Sequence, residues 1–202
     1  MTRKQAIAII TPLILIPMMY AIFQLAARAL GHEIAWYLGL SVYWLTWCAA
    51  FSIWMIGKET IWQLIQPQKL TLQMLLIVIF PLAMTLGVRF VVGMEYQTAS
   101  IWALVGLIFS AFANGSLEEI LWRGVYMKVF PDSNLWRIVW PSLWFAAWHY
   151  APGSISANNQ LLALIIGSGL LGFYSSLVAK KTETLWWSII IHTLGGLILV
   201  VS

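Results

Sequence analysis

Apolar residues run along this chain in long stretches, and charged residues interrupt them only in ones and twos. A membrane-crossing helix takes about 20 apolar residues. The stretches predict helices over approximately 5–28, 34–56, 70–92, 98–128, 136–150, 160–179 and 184–201. The expected fold is an all-α polytopic membrane protein, a bundle of about seven transmembrane helices. Residues 1–202 then form a single transmembrane domain, with no length left for a separate soluble unit. Between the fifth and sixth helices, residues 151–160 are polar without charge, and Pro152-Gly153 fits a turn there.

Composition supports that solvent assignment. Hydrophobic residues make up 61% of the chain and charged ones 9%, against roughly 25% charged in soluble domains. The net charge of +4 comes from basic residues scattered between apolar runs, a spacing that reads as membrane topology and not as a nucleic-acid surface. With the N-terminus in the cytoplasm, Arg3, Lys4, Lys58, Lys69, Lys128, Arg137, Lys180 and Lys181 fall inside, and only Arg28 and Arg89 fall outside. The positive-inside rule therefore predicts a multi-pass cell-membrane protein with its N-terminus in and its C-terminus out.

Arg3 and Lys4 followed by the apolar run from Ala6 to Ala27 have the outline of a signal peptide, with Ala27-Arg28-Ala29 as a small-x-small site. The run exceeds a signal core and further spans follow at once, so an uncleaved first helix is expected. Trp36, Trp62, Trp136, Trp140, Trp186 and Trp187 fall near predicted span ends, where an aromatic belt is expected. Gly167, Gly169, Gly172 and Gly195-Gly196 suit close helix packing. Cys48 is the one cysteine, which leaves no internal disulfide and no cysteine-based metal site.

Ionisable side chains at membrane depth are costly, at least ~2.5 kcal/mol each on insertion scales, and so mark candidate function. Glu118, Glu119, Arg123, His149 and His192 are the candidates, carried by the fourth, fifth and seventh helices. Arg123 follows Glu119 by four residues, so the two share a face and can pair. Glu118 points about 100° away from Glu119 and has Trp122 at its own i+4 position, which leaves it without a local cation. A desolvated carboxylate beside a histidine of another helix suits a general base. Phe145 lies one turn before His149 to pack beneath it, and His192 has no partner nearby in sequence. The competing structural role is a Glu–Arg pair that ties helices, with histidines that only pack. In a continuous fourth helix the groups meet only if helices tilt or break. Asn114-Gly115-Ser116 is the expected break, with Ser116 and Glu119 at capping-box spacing.

Glu-Glu-x-x-x-Arg at 118–123, Phe-x-x-x-His at 145–149 and the helix carrying His192 resemble, in order and spacing, the motifs of the type II CAAX prenyl endopeptidases, the CAAX protease and bacteriocin-processing (CPBP, or Abi) family. The resemblance covers residues 98–201. It implies an intramembrane endopeptidase of glutamate type acting on a membrane-associated peptide or protein. By position, Glu118 and His149 activate water, His192 helps stabilise the oxyanion, and Glu119 and Arg123 support the site. Prenylated CAAX proteins are the eukaryotic substrates of such enzymes, and short members serve bacterial peptide maturation or C-terminal sorting. The sequence departs from the family at one place: Gly196 stands four residues after His192, where Asn or Asp is usual. Losing an oxyanion donor can cost roughly 10²–10³ in turnover. Asn114, one turn before Glu118 on its face, and Ser188, one turn before His192, are the candidate substitutes.

No cofactor is implied by the glutamate mechanism. Glu118, His149 and His192 also compose a zinc set with an open position for water, although the His-Glu-x-x-His signature of soluble zinc proteases is absent. A non-catalytic membrane protein is the alternative, either a self-immunity relative, which Gly196 favours, or a small proton-coupled carrier using Glu118 and the histidines as a relay. Against the carrier, the first half of the chain holds no matching buried charges.

Overall fold

The structure, a computed structural model, describes residues 1–92, 101–156 and 161–200. The start of the expected fourth helix at 98–100 and the end of the expected turn at 157–160 lie outside the described residues. Every expected segment is helical, within a few residues of its expected ends: α1 (Arg3–Leu30), α2 (His32–Ile56), α4 (Leu72–Val92), α5 (residues 101–129), α6 (residues 135–148), α8 (Leu161–Thr182) and α9 (Trp186–Val200). Two short helices were not expected, α3 (Lys58–Leu64) and α7 (Tyr150–Gly153).

Local chemistry explains the ends. Thr2 and Gln5 close a reciprocal capping box at the start of α1. Gly31 and Gly57, at φ 86° and 81°, stop α1 and α2 in a conformation that side chains avoid. Pro12, Pro17 and Pro81 stand inside α1 and α4 without ending them, as neighbouring helices allow in a membrane. Among the described residues, four helices are long and apolar enough to cross: α1, α2, Leu104–Val129 of α5, and α8. Leu72–Gly87 and Trp186–Ile198 are shorter apolar helices. Alone, α6 measures about 21 Å, less than the roughly 30 Å hydrocarbon core, and α7 carries the chain onward.

The solvent-facing pattern is that of a membrane protein. Large apolar side chains such as Leu13, Leu25, Leu76, Phe80, Phe109, Phe112, Leu162 and Leu170 are exposed, while Glu118, Glu119 and Arg123 are buried. A water-soluble fold inverts both features.

Two poles can be traced from contacts. At one, Lys4 donates to the Met55 carbonyl, Gln5 to the Val129 carbonyl, Leu185 and Thr184 both donate to the Leu64 carbonyl, and Lys180 pairs with Asp132 at 2.8 Å. That pairing, through a hydrogen bond from Lys180 above all, holds the exposed Asp132 carboxyl below its ordinary range. At the other pole, Gln24 donates to Ser154, and His32 Nδ1 lies 2.7 Å from the Ile155 carbonyl oxygen. Successive helices run between these poles in alternating directions. Lys4, Lys128, Arg137 and Lys180 gather at the first and Arg28 stands at the second.

Candidate active site

Wide π-helical turns occupy Asn114–Glu118 and Ile120–Val125 of α5, the stretch that carries the acidic pair. The break expected at Asn114-Gly115-Ser116 does not occur, because the helix continues through these turns, and Ser116 makes no cap with Glu119. Glu119 is committed elsewhere. Its Oε1 lies 3.1 Å from Arg123 Nη1 and 2.9 Å from His192 Nδ1, and both Glu119 and Arg123 are 0% exposed. The expected Glu119–Arg123 pair is present, and it holds a histidine from α9 as well.

Glu118 makes no close ion pair with Arg123 of its own helix, although that charge acts on it, and it is not free. Its Oε1 accepts from Trp148 Nε1 at 2.9 Å, and its Oε2 faces His192 Nε2 at 3.6 Å. His192 therefore stands between the two carboxylates, one at each ring nitrogen. Gly115 permits this approach. A Cβ there would run into the side chain and backbone of Thr193, so only glycine lets α5 and α9 meet at this level.

His149 reaches the cluster from α6 through Phe145. Pro152 has no N–H for the Trp148 carbonyl and its ring crowds that oxygen, and the chain tightens so that His149 N donates to the Ala146 carbonyl at 3.2 Å. The Phe145 carbonyl is left for the imidazole of His149, whose Nδ1 lies 2.7 Å away. A carbonyl only accepts, so Nδ1 carries the proton and Nε2 of the neutral ring keeps its lone pair. The Phe145 ring is the hub: His149 and His192 meet it edge-on at 4.7 and 5.6 Å, and Arg123 Cζ lies 4.4 Å from its centroid. Glu118, Glu119, Arg123, His149 and His192 thus converge from three helices. Their depths agree. Glu118 lies about 16 Å along α5 from its basic-pole end, and His149 about 21 Å along α6 from the same pole.

Residues 100–198 match the family model described as type II CAAX prenyl endopeptidase Rce1-like. Over this half, the chain belongs to that family. No curated protein and no solved structure matches it. Membership supports an intramembrane endopeptidase at the level of the family, and the three motifs read from the sequence all lie inside the matched stretch.

Several side chains around this family core were not anticipated. Trp44, Trp122 and Trp148 are buried in the core and not in an interfacial belt. Trp44 Nε1 donates to Asn114 Oδ1 at 2.8 Å, so the candidate amide of Asn114 has a fixed orientation with its NH₂ side turned from Trp44. Ser188 Oγ, the other candidate, lies 2.9 Å from the Leu185 carbonyl oxygen and also neighbours the Glu119 carboxylate, so its one proton is engaged there. Gly196 faces Ala111, whose Cβ would lie 3.5 Å from a Cβ added at 196. Gly172 of α8 is a further support: a Cβ there would come within 2.8 Å of Phe145 and 3.0 Å of Arg123. Its role in packing was legible from the glycine-rich stretch, its contact with the site was not. Among the described residues, no three His, Cys, Asp or Glu side chains are grouped with metal-ligand geometry.

Proposed function

We propose that this protein hydrolyses a peptide bond of a membrane-associated peptide or protein with a water activated by Glu118 and His149. The observation that carries the reading is the division of labour at Glu118, whose Oε1 is anchored by Trp148 while Oε2 faces His192 Nε2 at 3.6 Å. A general base must stand within hydrogen-bond reach of the proton it takes, and an anchored carboxylate holds its second oxygen in one direction. The free lone pair of His149 Nε2 orients the water through a second hydrogen bond.

In the reaction, water oxygen bonds to the scissile carbonyl carbon while Glu118 Oε2 takes a proton. The oxyanion that forms accepts from His192 Nε2–H, and the Asn114 amide is the second donor in place of a residue at 196. Collapse breaks the C–N bond, and Glu118 passes its proton to the leaving amine. Glu119, held by Arg123, keeps Nδ1 of His192 a donor and so keeps Nε2 aimed at the reacting centre.

The test is cleavage of an internally quenched peptide ending in a prenylated CAAX sequence, by purified protein in proteoliposomes. Cleavage that survives exhaustive chelation is expected. Complete loss restored by added zinc would replace the glutamate mechanism with a metal-based one, and absence of cleavage would count against the protease reading for this chain.

A further inference from the structure

The base is anchored by an aromatic assembly that includes a side chain from outside the family-matched half. Trp148 Nε1 donates to Glu118 Oε1 at 2.9 Å. The Trp148 indole lies against the Tyr43 ring, centroids 3.9 Å apart and planes at 26°. Tyr43 in turn has its hydroxyl oxygen held by Trp122 Nε1 at 2.8 Å, and that hydroxyl also neighbours the Glu118 carboxylate. Trp122, Trp148 and Tyr43 are at most 1% exposed, and they come from α5, α6 and α2. Tyr43 lies outside residues 100–198. Building on the reading of Glu118 as the base, we propose that Trp148, with Tyr43 acting through it, is a positioning residue that restricts proton uptake to one oxygen of Glu118.

The chemistry follows from donor types. An indole N–H only donates, so it holds Oε1 as an acceptor at every stage and cannot relay a proton. That donation lowers the basicity of Oε1 and leaves Oε2 the oxygen favoured to take the proton of the attacking water. An indole on two free torsions would lose this aim, and the stacked Tyr43 ring removes that freedom. Tyr43 is in turn fixed in place by a second indole N–H, which an apolar interior would otherwise leave without an acceptor. The entry to the π-helical stretch Trp44–Phe51 of α2 serves both ends of the site. Adjacent residues there, Tyr43 and Trp44, reach Trp148 and Asn114 respectively.

The experiment compares Trp148→Phe, Tyr43→Leu, Tyr43→Phe and the Trp148→Phe/Tyr43→Leu double variant on the quenched prenylated peptide, with Glu118→Gln as control. Loss of a hydrogen bond to a charged group predicts a fall in kcat of roughly 10- to 100-fold for Trp148→Phe, with KM unchanged within about twofold. Tyr43→Leu loses kcat, Tyr43→Phe keeps the stack and loses less than Tyr43→Leu, and the double variant is no worse than Trp148→Phe. Wild-type kcat in Trp148→Phe, or losses that multiply in the double variant, overturn the proposal. A second measurement does not need the substrate. The infrared carboxylate band that disappears in Glu118→Gln is expected to shift in Trp148→Phe and in Tyr43→Leu, and an unmoved band overturns the clamp. Retention of cleavage by Glu118→Gln sinks the protease mechanism itself, an outcome distinct from either of these.

Discussion

Glu119 holds Arg123 and His192 at once, so neutralising it does more than weaken one pair. Glu119→Gln leaves a fully buried guanidinium without its carboxylate, and breaking a buried ion pair in this way costs about 3–5 kcal/mol. The expected result is a lower yield of folded protein and a lower Tm, read by thermal unfolding in detergent. From spacing alone Glu119 is a mild supporting residue. The i, i+4 contact was legible, whereas the tie to His192, 73 residues away, exists only once α9 packs on α5. A second residue-scale prediction concerns Asn114. If its amide is the oxyanion donor, Asn114→Ala lowers kcat by about 10²-fold. Adding Gly196→Asn restores part of it, since a Cβ at 196 meets only Ala111 at ordinary contact distance. No recovery in the double variant, measured as kcat on the same peptide, would dissociate both positions from the oxyanion.

At the scale of elements, the glycines of α8 separate packing from function. Gly172→Ala pushes on Phe145 and Arg123, and overpacking of this kind costs typically 1–3 kcal/mol. Reduced activity and reduced Tm are expected together. Gly167 has nothing within 4 Å of an added Cβ, and Gly167→Ala is expected to leave both unchanged, within about 0.5 kcal/mol. Parallel melting curves and rates check the contrast. Hydropathy located the helices well because crossing a bilayer demands continuous apolar runs. The π-helical turns of α2, α5 and α6 left no such mark, since they depend on how each helix accommodates its neighbours. The same holds for the tightened turn at His149, although Pro152 was its visible cause.

Across the whole molecule, the alternating run of helices between two poles reproduces the asymmetry of basic residues, with Lys4, Lys128, Arg137 and Lys180 at one end. We propose that this pole is cytoplasmic. Reporter fusions after Lys58 and Lys181 are expected to read cytoplasmic, and an external signal at either contradicts the orientation. The first half of the chain looked in sequence like a set of generic spans, but it brings Tyr43 and Trp44 to the site. Tryptophans in a membrane chain read most simply as an interfacial belt, and nothing in their spacing separates those that line a core. The central claim, that Glu118 is the base, is tested most directly by the cleavage rate per folded molecule of Glu118→Gln in proteoliposomes. The amide keeps an oxygen for Trp148 but cannot take a proton from water. The account predicts a loss of about 10²–10⁴-fold with a wild-type Tm, and a Glu118→Gln protein that retains most of the wild-type rate would contradict it.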